Sequence, residues 1–374
     1  MNEREVAELR RRFKPERNGF GKVKGCYVNE LGHIASRFEQ SLTLMSQDET
    51  ELLLGVLRRA LSGTLGRNLV NLSFDTGEVA YGEEHKLLRA LRDSRLEDEG
   101  AVDAFFQKVS DSVELEGGYL ILLVCDAYDV PRRSRGEEGE DSGEVYRYLL
   151  CAICPVAETK PALSYYPREN EFHNRQMNQL VSAPALGFLY PAFDDRAANL
   201  YGALCYTKDP AQSHEGFIQA VFHAPAPMPA AAQKENFQAA LADSLEGESS
   251  YEVVRAVHGQ LREMIALHKE NREREPLTLT KGEMAGVLRS CGVAPEHTQA
   301  FQDRFDDTFG PDAQVSPRNL IDTGKVEVRT PDVVVQVNPE RGDLVRTEII
   351  QGCRYIMIRV DGDVEVNGVE IRID

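Results

Sequence analysis

The 374-residue sequence lacks any long hydrophobic run. Its longest apolar stretches, Tyr119–Cys125 and Tyr148–Val156, are far shorter than the ~20 residues that span a bilayer. The first residues hold no apolar core after a basic start, so we expect no secretory signal. These absences predict a cytoplasmic protein without a membrane partner.

The sequence motifs of several enzyme classes are also missing. Neither Gly-x-Ser-x-Gly, Gly-x-Gly-x-x-Gly nor Gly-x-x-x-x-Gly-Lys occurs, so serine-hydrolase, dinucleotide and P-loop chemistry have no support. The histidine pairs His214/His223 and His258/His268 miss the i, i+4 spacing of a helical metal site. We therefore favour a protein that is not an enzyme and that needs no cofactor.

Cysteine is sparse, with seven residues scattered over the chain. An odd, scattered set favours reduced thiols over a disulfide framework. Cys151 and Cys154 form a CxxC, but they lie within an apolar run typical of a buried strand. A redox CxxC stands instead at a helix N-terminus, and no second CxxC could complete a zinc site. We interpret these two cysteines as core residues.

Acidic residues dominate the charge: 61 Asp and Glu against 43 Lys and Arg give a net charge of −18. This balance excludes a protein that coats nucleic acid by its bulk charge. Residues 1–25, which we call the basic arm, have the opposite balance of eight basic to four acidic residues. The residues predicted to contact nucleic acid are Arg10, Arg11, Arg12, Lys14, Arg17, Lys22 and Lys24, with Phe13 placed to stack on a base. The alternative is a solvated helix end carrying favourable cations.

Apolar patterns predict an α+β fold whose N-terminal sheet is mixed or antiparallel. Tyr119–Cys125 and Val145–Val156 have the pattern of buried strands. We expect them to pair antiparallel as a long hairpin across the Gly-, Arg- and Glu-rich loop Pro131–Glu144. Capping boxes at Ser46–Glu49 and Thr280–Glu283 predict helix starts.

The chain is expected to comprise three regions. An N-terminal α+β domain covers residues 1–225, and a helical region covers residues 226–310. A small C-terminal β module covers residues 311–374, where six short β-rich runs alternate with turn residues such as Asn367-Gly368.

Acidic residues follow the two predicted buried strands. Asp126 and Asp129 follow the first strand, and Glu158 and Lys160 follow the second. This pattern is similar to the metal-dependent nucleases, in which carboxylates hold Mg²⁺ and a lysine positions the attacking water. Mg²⁺ would be a cofactor only under this hypothesis. The alternative is that aspartates at strand ends cap turns.

Seven sequence blocks are spread over the chain: Arg11–Pro15, Gly25–Glu30, Glu84–Leu88, Asp126–Pro131, Glu169–Asn174, Pro191–Arg196 and Arg329–Val334. Together they resemble one uncharacterised bacterial family, known as domain of unknown function 4317. The resemblance runs nearly from end to end, and it implies no activity.

The predicted N-terminal sheet domain, with the Gly-Gly-aromatic strand start Gly117-Gly118-Tyr119, precedes helices and a terminal β segment. This layout is similar to that of the nucleoid-associated proteins. Likeness of layout transfers no site residue.

Three hypotheses of function follow. The first is an interaction protein, not an enzyme, that associates with the nucleoid or nucleic acid through the basic arm. The second is a metal-dependent nuclease or hydrolase that uses Asp126, Asp129, Glu158 and Lys160. The third is a protein-binding module whose C-terminal β edges add a partner strand. The expected partners are thus nucleic acid or another protein, with a homodimer as a further expectation.

Overall fold

The computed structural model describes residues 1–131, 145–175, 178–245, 250–271, 273 and 275–372. The predicted loop Pro131–Glu144 lies outside the described residues except for Pro131. The chain divides into two compact units, an N-terminal unit Met1–Pro229 and a C-terminal unit Ala230–Asp374. The fold is α+β, as predicted. None of the helices in the described ranges is both long and apolar enough to cross a membrane.

The N-terminal unit alternates helices with strands along the chain. Its helices are α1 (Glu3–Arg10), α2 (Gln47–Arg59), α3 (Thr76–Tyr81), α4 (Glu83–Asp93), α5 (Glu99–Ser110) and α6 (Glu215–Phe222). Its strands are β1 (Lys22–Val28), β2 (Ile34–Ser41), β3 (Leu69–Ser73), β4 (Tyr119–Asp129), β5 (Val145–Glu158), β6 (Ala162–Tyr166), β7 (Glu171–Arg175), β8 (Gln179–Val181), β9 (Leu186–Tyr190), β10 (Ala192–Asp194), β11 (Ala197–Asn199) and β12 (Gly202–Thr207).

One antiparallel sheet organises this unit. Its strand order is β2-β1-β4-β5-β9-β12-β3, and β8 pairs with the far end of β5. The long hairpin predicted from the two apolar runs is confirmed, because β4 and β5 pair from Tyr119↔Pro155 to Asp129↔Val145. The short strands β6–β7 and β10–β11 form separate pairs.

Both faces of the sheet are covered by helices. Helices α4, α5 and α6 pack on one face, and α1 and α2 pack on the other. Successive residues of a strand point to opposite faces, so every residue from Tyr148 to Cys154 enters a core. This two-sided burial explains why the central strands are continuous apolar runs rather than alternating patterns.

The CxxC is split by the same geometry. Cys151 belongs to the core on the α4–α6 face and Cys154 to the core on the α1–α2 face. Both thiols are fully buried and free. Burial raises the pKa of Cys154 to about 12 and also raises that of Cys151 far above its ordinary value. The interpretation as core residues is confirmed.

Capping boxes begin three helices in the described ranges. Ser46 Oγ accepts from the Glu49 amide at the start of α2, and the Glu49 carboxylate accepts from the Ser46 amide, as predicted. The predicted box at Thr280 begins the helix that follows it. The third, between Asn2 and Glu5 at the start of α1, was not predicted, and it fixes the beginning of the basic arm.

The C-terminal unit combines a helical core with strand pairs. Its helices are α7 (Ala230–Leu245), α8 (Tyr251–Asn271), α9 (Lys281–Ser290), α10 (Pro295–Phe309) and α11 (Pro317–Leu320). Its strands are β13 (Val326–Arg329), β14 (Val334–Val337), β15 (Val345–Ile350), β16 (Cys353–Ile358), β17 (Val364–Val366) and β18 (Val369–Ile371). Phe237, Phe301 and Phe305 are buried among the helices. The predicted C-terminal strands are confirmed, and they form three two-stranded antiparallel pairs.

Two-sided burial predicts a large effect of truncating a core ring on the stability of the N-terminal unit. Phe188 on β9 is fully buried and lies 5.0 Å from the Phe222 ring. We expect Phe188→Ala to lower the free energy of unfolding by about 3–5 kcal/mol. Urea unfolding followed by tyrosine fluorescence measures this, since the chain has no tryptophan. The matched control is Phe172→Ala, which removes a ring that is 68% exposed and should cost less than about 1 kcal/mol. Equal losses in the two variants would contradict the two-sided core.

Candidate functional site

Asp126 lies in the sheet, and its carboxylate is fully occupied by internal partners. The Tyr148 hydroxyl donates to Oδ2 at 2.8 Å, and the Ala127 amide donates to Oδ1 at 2.8 Å. The Arg12 guanidinium contacts both oxygens at 3.2–3.3 Å. Burial raises the pKa of Asp126, while Arg12 and Tyr148 oppose that rise. Asp126 thus anchors the basic arm to the sheet.

The chain backbone covers this ion pair closely. A Cβ on Gly19 would collide with Asp126 Oδ1 and lie 2.7 Å from Arg12 Nη2, so only glycine fits there. The Arg12 guanidinium also lies over the Tyr128 ring, 4.9 Å from the ring centroid. Arg12 is therefore enclosed between the end of β4 and the segment that leads into β1.

The four residues of the predicted nuclease site do not converge. Asp126 pairs in register with Tyr148, and Asp129 is exposed at the end of β4 opposite Val145. Glu158 lies ten residues beyond Tyr148 on the same strand, which corresponds to roughly 33 Å at about 3.3 Å per residue. Lys160 follows Glu158 and is exposed. The antiparallel register puts Asp126 and Glu158 near opposite ends of the hairpin, so they cannot share one metal ion.

Four of the seven predicted basic residues serve the fold. The Arg10 guanidinium donates to the backbone carbonyls of Leu61 and Gly63, and burial lowers its pKa. Arg12 holds Asp126. The two remaining members of this group make ion pairs: Lys22 with Glu39 and Glu97, and buried Lys24 with Glu39 and Glu99.

The other three basic residues, Arg11, Lys14 and Arg17, are exposed. We call them the arginine–lysine patch. Across the described ranges their side chains have no hydrogen-bond or ion-pair partner. Successive turns hold their backbone, because the Arg17 and Asn18 amides both donate to the Lys14 carbonyl at 2.9 Å. The predicted stacking residue Phe13 is 2% exposed and packs against Phe20, so its ring cannot reach a base.

A cleft of about 980 Å³ lies beside the patch. Its arginines outnumber its glutamates: Arg4, Arg11, Arg12, Arg17 and Arg196 line it with Glu3, Glu8 and Glu16. The Arg196 guanidinium donates to Glu8 at 2.7 Å and to the Pro131 carbonyl at 2.8 Å. No local sequence pattern indicates Arg196, because the β10–β11 turn that carries it reaches the cleft only in the folded chain.

A second cluster of ligating side chains lies elsewhere in the same unit. Glu78 of α3, Glu84 of α4 and His223, the C-cap of α6, each offer one ligand atom, and these atoms all lie within 4.8 Å of one another. The His223 and Glu78 side chains line a groove of about 480 Å³. Burial acts to raise the pKa of Glu84, but the ion pair with Lys108 at 2.9 Å, a backbone hydrogen bond and nearby His223 together lower that pKa. The sequence did not indicate this cluster, because its members come from three separate helices.

The Arg12–Asp126 pair generates a prediction with a defined pH dependence. Arg12→Ala leaves a buried, unpaired carboxylate, and we expect it to lower the free energy of unfolding by about 3 kcal/mol at pH 7. Losing the cation raises the pKa of Asp126 further in the folded state. The loss of unfolding free energy should therefore be greatest at pH values above the pKa of Asp126 in the folded variant. It should shrink as pH falls through that pKa, because the Asp126 carboxyl is then protonated.

Urea unfolding of the Arg12→Ala variant at a series of pH values measures this deficit. Arg11→Ala is the control, since it removes an exposed neighbour and should change stability by less than about 0.5 kcal/mol. The double variant Arg12→Ala/Asp126→Asn should recover part of the loss at pH 7. A deficit that is independent of pH would contradict the role given to the pair.

Comparison with known proteins assigns the family. A search of the curated proteins finds no match for this chain. The family described as Domain of unknown function (DUF4317) matches residues 1–369, which agrees with the resemblance found in the sequence motifs. The chain therefore belongs to the DUF4317 family.

Proposed function

We propose that the N-terminal unit binds the phosphate backbone of nucleic acid through the arginine–lysine patch of Arg11, Lys14 and Arg17. The observation that carries this proposal is the division within the basic arm. Four other cations of the arm bind partners within the protein. These three are exposed instead, on a segment held by turns and by the Arg12–Asp126 pair. A fixed backbone lowers the entropy lost when their side chains engage phosphates.

The contact is expected to be independent of base sequence. The two aromatic rings of the basic arm, Phe13 and Phe20, are both buried. Neither is available for stacking, so phosphate contact is the remaining mode. The acidic remainder of the chain repels a polyanion and restricts the contact to this one surface.

Salt dependence tests the proposal. Three phosphate contacts predict a slope of about −2.7 for log K against log salt concentration, which is about a 40-fold loss of affinity between about 50 and 200 mM salt. Fluorescence anisotropy of a labelled DNA duplex titrated with the full chain measures it. Arg11→Ala/Lys14→Ala/Arg17→Ala should abolish the binding seen at low salt.

The control must remove equal charge elsewhere in the unit. Lys160→Ala/Arg168→Ala/Lys208→Ala deletes three exposed cations outside the arm and should retain most of the affinity. Equal losses in the two triple variants would assign binding to bulk charge and contradict the patch. Absence of binding by the unmodified chain at the lowest salt concentration would eliminate the proposal.

A second candidate function is protein association through the C-terminal strand pairs. Within the described residues each of these three sheets has only two strands, which leaves backbone edges unpaired. Apolar side chains are exposed on them, including Ile349 at 71% and Ile358 at 51%. Such edges favour addition of a strand from another chain, and a second copy is the partner that can be measured directly.

Sedimentation of the full chain over a concentration series tests this candidate. We expect a dimer whose fraction rises with concentration and falls in Ile349→Lys/Ile358→Lys, because charged side chains on an edge oppose pairing. Leu163→Lys/Phe172→Lys, at exposed apolar positions of the N-terminal unit, is the matched control and should dimerise normally. A monomer at every concentration would contradict self-association.

A further inference from the structure

The cluster of Glu78, Glu84 and His223 has the composition and spacing of a metal site. His223 Nε2 lies 3.9 Å from Glu78 Oε1, and the ligand atoms of all three residues are within 4.8 Å of one another. Donors bound at about 2.1 Å lie about 3.4 Å apart around a tetrahedral ion and about 4.2 Å apart at opposite positions of an octahedral ion. Small side-chain rotations would therefore bring the widest pair of donors onto one ion.

The surroundings hold these side chains in place. A Cβ on Gly82, which connects α3 to α4, would lie 2.6 Å from Glu78 Oε2, so the absence of a side chain there makes room for the Glu78 carboxylate. Lys108 of α5 donates to Glu84 Oε1, which leaves the second carboxylate oxygen of Glu84 for another partner. Gln219 lies one turn before His223, and its amide nitrogen is 3.5 Å from His223 Nδ1. Rotation of that amide would let its oxygen accept from Nδ1–H and free Nε2 for a metal.

The donor set narrows the class of ion. Imidazole is a ligand of transition metals, whereas Mg²⁺ and Ca²⁺ take oxygen donors almost entirely. Two carboxylates with one imidazole suit Mn²⁺ or Zn²⁺. The side chains of Glu78 and His223 are 35% and 53% exposed and face the groove, so water could fill the remaining coordination positions. Three protein ligands with open positions characterise a site that also admits a small ligand.

We propose that Glu78, Glu84 and His223 bind one divalent transition-metal ion of the Mn²⁺ or Zn²⁺ class, with its open positions turned toward the groove lined by Phe74 and Asp75. The site is independent of the arginine–lysine patch. The Lys108 ammonium balances part of the carboxylate charge when the ion is absent, and it keeps the Glu84 carboxylate oriented when the ion binds.

Mn²⁺ is the probe, because the seven free thiols of the chain compete less for this ion than for Zn²⁺. Loss of the electron paramagnetic resonance signal of aqueous Mn²⁺ on titration with the full chain measures binding. We expect one ion per chain, displacement by Zn²⁺ and retention in the presence of Mg²⁺. Bound Mn²⁺ should also raise the melting temperature of the chain.

Two variants remove ligands without disturbing the core. His223→Gly removes the imidazole and tolerates the backbone φ of +49° at this position, and Glu78→Gln keeps the shape of the side chain. Each should weaken Mn²⁺ binding at least about tenfold.

The matched control is His173→Ala, because His173 is also exposed and lies 2.9 Å from Glu169 and 3.8 Å from Glu171. It should bind Mn²⁺ as the unmodified chain does. Unchanged affinity in both ligand variants, loss only in the control, or no bound ion at all would overturn the proposal. Circular dichroism of each variant separates loss of a ligand from loss of the fold.

Discussion

Burial of one antiparallel sheet on both faces is the constraint on which the N-terminal unit depends. The β4–β5 hairpin lies inside this sheet, and helices cover it from each side. A buried charge on these strands therefore needs an internal partner. Asp126 meets that requirement with Arg12 and Tyr148, whereas the cysteines of the CxxC are buried as neutral thiols in opposite cores.

The need to pair Asp126 determines the geometry of the basic arm. Arg12 binds Asp126 at the sheet, and the backbone at Gly19 packs against this ion pair. Hydrogen-bonded turns hold the backbone between Arg12 and Gly19. Arg11, Lys14 and Arg17 remain outside on that fixed segment. The Arg12–Asp126 ion pair thus stabilises the fold and leaves the side chains of Arg11, Lys14 and Arg17 exposed to solvent.

Local patterns in the sequence predicted the local structure well. The apolar runs indicated the β4–β5 hairpin, and Ser46–Glu49 and Thr280–Glu283 indicated helix starts, because each pattern acts within a few residues. The candidate sites depend on contacts between distant segments. Arg12 and Asp126 are 114 residues apart, and Glu78 and Glu84 meet His223 only through the packing of α6. The antiparallel direction of β4 and β5, which the sequence pattern predicted, places Asp126 and Glu158 near opposite ends of the hairpin.

The basic arm thus divides into anchored cations, such as Arg10 and Arg12, and exposed cations, such as Arg11 and Arg17. Nuclear magnetic resonance of the arginine Nε–H groups during titration with a DNA duplex at low salt tests this division most directly. The Arg11 and Arg17 signals should shift with added duplex, while those of Arg10 and Arg12, held by backbone carbonyls and by Asp126, should not. Shifts at Arg10 or Arg12 without shifts at Arg11 and Arg17 would contradict this division of the arm.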